Sequence, residues 1–226
     1  MKPLLECKNV TKKIGNFTLS NIHFALEPGY ILGVVGRNGA GKSTLLRILL
    51  GSYLLTNPYD NDYVKTVDVI NMAKSKGDVL IGETSVKMEP GAYKEQIAFV
   101  LNDSPFDMRL SALDNGTLYG GYYKTFQRDV YKSWLFKFEV PLRIPLCKLS
   151  KGQQIKQQLA FALSYEAKLY IFDEPAGNLD VAFRKTFYKQ RRGIREDGTK
   201  SVVYVSHFVE EMEEFADYLL LPFVDR

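Results

Sequence analysis

The stretch YILGVVGRNGAGKSTLLRILLG, from Tyr30 to Gly51, constrains the fold more than any other part of the chain. Its opening is a continuous apolar run of strand length, as expected for a strand covered on both faces in a parallel sheet. Its close, STLLRILLG, puts Leu45, Ile48 and Leu49 on one helical face, with Gly51 as the stop. Between them GRNGAGKS, from Gly36 to Ser43, matches G-x-x-x-x-G-K-[ST] in the strand–turn–helix context that such a loop requires. Strand, glycine turn and helix make the first half of a βαβ unit, which points to an α/β chain with a mainly parallel sheet.

The loop also carries chemistry. Glycines let successive backbone N–H groups turn inward around an anion, and the helix N-terminus adds its positive end. Lys42 is placed to reach the β- and γ-phosphates of a nucleotide, and Ser43 to offer its hydroxyl to Mg²⁺. Gly36, Arg37, Asn38, Gly39, Ala40, Gly41, Lys42, Ser43 and Thr44 are the candidate nucleotide-binding residues. The competing reading, a turn of purely structural use, becomes weaker with each later motif.

Elsewhere the pattern alternates between strand and helix. LLECKNV and FTLSNIHFAL read as strands, with Ile22, Phe24 and Leu26 facing inward and His23 on the polar side. Residues 53–76 are rich in turn formers and read as an insertion of unassigned role. GDVLIGETSVKMEPGAYKEQIAFVL resumes strand patterns around a turn at Glu89-Pro90-Gly91. From Ser104 to Phe138 the pattern is helical and aromatic, and Tyr131, Trp134 and Phe138 read as core. A helix over 153–164 places Ile155, Leu159, Ala162 and Leu163 on one face. LYIFDE, a helix around 181–195 and SVVYVSH follow. The whole reads as a single domain, 1–226. Residues 1–102 and 167–226 form its core with a β subdomain, and 103–166 a helical subdomain.

Three further features fit a nucleotide site. LYIFDE ends in Asp173 and Glu174; the first can hold Mg²⁺ and the second can polarise an attacking water as general base. SVVYVSH ends in His207, which beside a γ-phosphate can contact the phosphate and orient that water. LSKGQQIKQQ, from Leu149 to Gln158, starts a helix with Ser150 and Gln153 in the S-x-x-Q spacing of a capping box. Alone, that cap needs no function.

The order GRNGAGKS, LSKGQ, LYIFDE, GNLD and His207 resembles the nucleotide-binding subunit of an ABC transporter over nearly the whole chain, and LSKGQ separates that family from other phosphate-loop ATPases. The resemblance implies a P-loop NTPase core with an N-terminal antiparallel β subdomain and an α-helical subdomain. It implies a head-to-tail dimer, of two copies or of two different chains, enclosing two ATPs. Each ATP would lie between one phosphate loop and Ser150, Lys151, Gly152 and Gln153 of the other subunit, with Asp180 communicating across the interface. Lys42, Glu174 and His207 would be the catalytic set, and Ser43, Asn102 and Asp173 the Mg²⁺ set.

The chain departs from that pattern in places. Lys151 stands where the family has glycine. Leu101-Asn102 stands where it has a glutamine; asparagine is shorter, and Asp103 or a bridging water would be the substitute. The adenine-stacking aromatic falls at Ile14, leaving Phe17 as the candidate. Arg37 replaces a common proline.

These features imply an ATP hydrolase driving separate integral membrane permease subunits. The LSKG-type signature, similar to that of bacterial antibiotic and peptide exporters, points to export of peptides, antibiotics or other small amphipathic molecules. The alternatives are a soluble ABC ATPase remodelling a protein or nucleic-acid assembly, and a weakly active half of an asymmetric pair.

Composition excludes little: 46% apolar and 25% charged residues suit a globular chain, and the net charge of +4 is scattered, so no nucleic-acid partner is expected. Cys7 and Cys147 suit free thiols in a reducing cytosol. No apolar run approaches the roughly 18–20 residues of a membrane span. The expected location is cytoplasmic, peripheral on the inner face of the cell membrane through the permease.

Overall fold

The first constraint, an apolar strand feeding a glycine loop, is met by β3 (Ile31–Val35), which is buried at every position. In the computed structural model, residues 2–14, 17–37, 39–51, 76–196, 198–207, 209–221 and 224–225 are described. The insertion expected over 53–76 lies outside them except for Lys76. Asn38 and the side chain of Phe17 also lie outside.

Two sheets divide the strands. β6 (Ile97–Val100), β7 (Leu169–Asp173), β8 (Ser201–Ser206), β3 and β9 (Tyr218–Leu220) form a five-stranded sheet in that order, with every pair parallel. Near-continuous apolar runs such as YIF and VVYV belong in such a sheet because helices cover both faces. β1 (Leu5–Ile14), β2 (Phe17–Leu26), β4 (Lys76–Ile81), β5 (Thr84–Ser85) and β10 (Val224–Asp225) form an antiparallel sheet, ordered β10-β2-β1-β4-β5. Alternation decides its faces: Ile22 and Leu26 are buried and Phe24 packs against the core, whereas His23 is exposed.

Register in the parallel sheet positions the site. Val35 pairs with Ser206 and Asp173 with Val205, so the carboxyl ends of β3, β7 and β8 finish at one level. Gly36, Glu174 and His207 are the next residues on the three strands, and all emerge at the same edge. In open α/β sheets that is the edge where ligands bind.

One expectation fails. The segment read as strand around a Glu89-Pro90-Gly91 turn contains a helix, α2 (Pro90–Glu95), after α1 (Lys42–Leu49). Pro90 sits in the first turn, where its missing N–H costs nothing. Tyr93 is fully buried and its hydroxyl donates to the Leu49 carbonyl at the end of α1 (2.7 Å). Burial of one large side chain, about 1.5–3 kcal/mol, outweighs the turn propensity of Pro-Gly.

Between β6 and β7 run α3 (Ala112–Gly120), α4 (Arg128–Lys137) and α5 (Lys151–Ala162). Phe161 is their hub, with ring centroids of Phe106, Tyr123, Phe126, Tyr131 and Tyr165 within 5.0–5.8 Å. Tyr131 and Phe138 are buried as expected, and Trp134 is half-buried against them. α5 starts two residues earlier than the expected 153, because the cap at Ser150 begins the helix at Lys151, and Leu163 is its C-cap. α6 (Val181–Arg195) and α7 (Val209–Glu213) follow the ends of β7 and β8.

Candidate nucleotide site

Gly36, Arg37 and Gly39–Thr44, the described part of the loop, lead from β3 into α1. Gly41 is the N-cap of α1 with φ 92°, a left-handed conformation that a side chain rarely adopts, so glycine is required there. The Ala40 N–H donates to the Arg37 carbonyl (3.1 Å) and the Leu45 N–H to the Gly41 carbonyl (2.8 Å). Lys42 is buried, and its ammonium donates to the carbonyls of Gly36 (2.7 Å) and Arg37 (3.2 Å). Its charge is thereby held at the loop. Ser43 is exposed at the first turn of the helix and Thr44 is half-buried.

The acids lie next to that charge. Burial pushes the Asp173 carboxyl up from 3.8 to about 6; Glu174 and Asp103 push the same way, and the ammonium of Lys42 opposes them. Asp103, Asp173, Glu174 and Lys42 thus share one electrostatic field. Glu174 has φ 46°, an uncommon conformation for a residue with a side chain, and its N–H donates to the Val205 carbonyl (3.0 Å). Strain held in place by a neighbouring strand is typical of positions where a side chain must be aimed. Glu174 Oε1 lies 3.0 Å from His207 Nδ1, so the imidazole and the carboxylate form a hydrogen-bonded pair when that nitrogen carries the proton. Both side chains keep water access, which a general base acting on water needs.

A hard divalent cation fits this chemistry when phosphates complete its shell. The site offers a serine hydroxyl and carboxylate oxygens with surplus negative charge, the donor set of Mg²⁺ beside a nucleotide. Among the described residues no cluster of three or more His, Cys, Asp or Glu forms a protein-only metal cage. Asn102 and Asp103 are both exposed just beyond β6.

LSKGQ caps α5 as a full capping box. Ser150 Oγ accepts from the Gln153 N–H (3.2 Å), and Gln153 Oε1 accepts from the Ser150 N–H (3.1 Å). Ser150 is exposed, and Lys151, Gly152 and Gln153 are half-buried. Lys151 Nζ stands 3.9 Å from an Asp103 carboxylate oxygen, tying the start of α5 to the loop after β6. Among the described residues no hydrogen bond or ion pair joins Ser150–Gln153 to the phosphate loop of the same chain. The structure brings Lys42, Asp173, Glu174 and His207 together, and among the described residues the LSKGQ segment reaches that group only through the Lys151–Asp103 contact.

Asp180 caps α6, accepting from the Phe183 N–H (2.8 Å). That bond, helped by Lys156, holds its carboxyl below the usual carboxylate range. Lys156 Nζ lies 3.5 Å from Asp180 and 4.4 Å from the centre of the Phe183 ring. Sequence reading missed Lys156, although its place one turn beyond Gln153 on the same helix was a usable signal. It also missed Gln157 and Gln158, which are both buried.

The model of the ABC transporter family matches residues 19–177. The ribose import ATP-binding protein RbsA of Caldanaerobacter subterraneus subsp. tengcongensis is 29% identical over 234 residues, covering 98% of this chain and 43% of its own length. The Nod factor export ATP-binding protein I of Sinorhizobium fredii is 26% identical over 221 residues, covering 95% of this chain and 59% of its own length. The chain thus spans about half the length of these curated relatives. A dimeric ATP-binding cassette solved in a post-hydrolysis state with ADP and Pi shares the fold, with a TM-score of 0.75, 23% identity and coverage of 98% and 97%. Phosphate loop, paired strand-end acids, capped LSKGQ helix and family match converge: the chain belongs to the ABC transporter family and carries its ATP-binding domain.

Proposed function

We propose that the protein hydrolyses ATP as the motor of a transporter, working as a dimer in which each ATP is bound by two subunits. The observation that carries this reading is the Glu174–His207 pair, held at the ends of adjacent strands beside Lys42 and Asp173. In it Gly36–Thr44 hold the phosphates, Lys42 neutralises their charge, and Phe17 stacks on adenine. Glu174 takes the proton of the attacking water, while His207 orients Glu174 and contacts the γ-phosphate. Ser43 and Asp173, with Asn102 or Asp103, would hold Mg²⁺, which when bound offsets the negative charge of the phosphates.

Among the described residues the LSKGQ segment makes no hydrogen bond or ion pair with its own phosphate loop, and it presents an exposed Ser150 hydroxyl at a helix N-terminus, the chemistry that receives a γ-phosphate from a second subunit. Residues 1–102 with 167–226 then act as the ATP-binding core, and 103–166 as the arm carrying that segment. Among the described residues no helix is long and apolar enough to cross a membrane. In this reading separate permease chains supply the transport path and hold this chain at the inner face of the membrane. The relatives named above include an importer and an exporter. The LSKG-type signature favours export of a small amphipathic cargo.

Phosphate release by the purified protein tests the reading. Turnover is expected with Mg²⁺ and ATP, falling on the order of a hundredfold or more in Lys42→Ala. A Lys42→Ala variant as active as the wild type would overturn it.

A further inference from the structure

Gln158 lies within a helix, buried and 1% exposed, at a position where an apolar side chain would serve packing better. Its amide faces the backbone of a single residue. The Leu101 N–H donates to Gln158 Oε1 (2.9 Å) and Gln158 Nε2 donates to the Leu101 carbonyl (3.0 Å). Leu101 is the residue between the end of β6 and Asn102, where the chain leaves the parallel sheet for the helical region. The amide thus does for Leu101 what a neighbouring strand would do, but from the helix that begins at Ser150.

The rest of α5 is tied in the other direction. Gln157 Nε2 donates to the Tyr131 hydroxyl (2.9 Å), which donates to the Ala112 carbonyl (2.9 Å), so one amide reaches both α4 and α3. Gln154 Nε2 donates to the carbonyls of Leu146 (3.0 Å) and Leu149 (3.1 Å), bracing the segment just before Ser150. Ser150 caps and Gln158 lies within one uninterrupted helix, eight residues apart, roughly 12 Å at 1.5 Å per residue. A displacement at Gln158 is therefore passed to Ser150 with little loss.

Apolar contact is non-directional and lets a helix slide or roll. Two opposed hydrogen bonds to one peptide residue fix both offset and roll, because each weakens steeply with misalignment. From this geometry we infer that Gln158 is a positioning residue. It sets where the Ser150 hydroxyl and helix start stand relative to Asn102, Asp103 and Asp173, and so how well two subunits close on ATP. The inference rests on the dimeric ATPase reading above. Gln158 touches no nucleotide and acts only through α5 and Leu101.

Gln158→Leu and Gln158→Met test it, with ATP turnover counted per folded molecule and binding of a fluorescent ATP analogue measured on the same samples. The phosphate loop is untouched, so analogue affinity is expected to stay within about twofold while kcat falls on the order of tenfold. A merely structural amide would lower the unfolding midpoint and leave kcat per folded molecule unchanged. A kcat within twofold of wild type in either folded variant, or a loss confined to nucleotide affinity, overturns the inference. Should neither variant fold, hydrogen exchange in the wild type decides. Leu101 is expected to be protected like Val100, and exchange as fast as that of Asn102 overturns the bracket. A wild type without turnover would instead sink the ATPase reading.

Discussion

Replacing Asp173 by asparagine should make the nucleotide-free protein more stable while disabling it. Burial, with Glu174 and Asp103 alongside, raises its carboxyl from 3.8 to about 6 against the opposing charge of Lys42. At ~1.4 kcal/mol per pKa unit that rise corresponds to about 3 kcal/mol of penalty on the ionised side chain in the folded state. Asp173 is only partly buried, and screening by water reduces the figure to about 1–2 kcal/mol.

The sign follows from the raised value. Above pH 6 the carboxyl is ionised in both states and the folded state carries the full penalty. As pH falls below 6 the folded state takes up the proton first, and the penalty fades towards the unfolded value near 3.8. Urea denaturation in EDTA without nucleotide, at pH 7.5 and pH 5, is the assay. Asp173→Asn should exceed wild type by about 1–2 kcal/mol at pH 7.5 and by a smaller margin at pH 5. A variant equal to or weaker than wild type at pH 7.5 would refute the argument that these acids are held close at a cost to the fold.

Three other substitutions probe separate parts of the account. Ser150→Ala removes the oxygen that accepts from the Gln153 N–H. It should cost about 1 kcal/mol in a urea titration, while ATP turnover falls far more than that loss explains. Gly116→Ala drives a Cβ into the ring of Tyr131, whose hydroxyl is committed to Ala112 and Gln157. It should lower stability by about 1–3 kcal/mol by thermal denaturation. Lys156→Met keeps an unbranched side chain but drops the ammonium that lies near Asp180 and over the Phe183 ring. A stability loss of about 0.5–1 kcal/mol is expected, most of it from the contact with Phe183, since Asp180 is largely exposed and its ion pair is worth little.

The phosphate loop and the strand that feeds it were legible because their chemistry admits few residue types at fixed spacing. The antiparallel strands were legible from the alternation of Ile22, Phe24 and Leu26. Pairing of Glu174 with His207 was not, because the residues are 33 apart and meet only through the register of β7 and β8. The helix at Pro90–Glu95 was hidden because Pro-Gly reads locally as a turn, and the deciding term is burial of Tyr93 against α1. Gln157 and Gln158 were hidden for the opposite reason. Polar residues in a helical pattern read as a solvated face, yet these two lie between Ile155 and Leu159 on the buried side. A Gln-Gln step flanked by core positions was the available signal.

The central claim is that Glu174 supplies the base for hydrolysis at a site completed by a second subunit. Light scattering on Glu174→Gln, with and without ATP and Mg²⁺, paired with phosphate release, tests it most directly. The account predicts a monomer without nucleotide, twice the monomer mass with ATP, and turnover reduced on the order of 10² to 10⁴-fold. A variant that hydrolyses ATP at the wild-type rate, or that stays monomeric at saturating ATP, would contradict it.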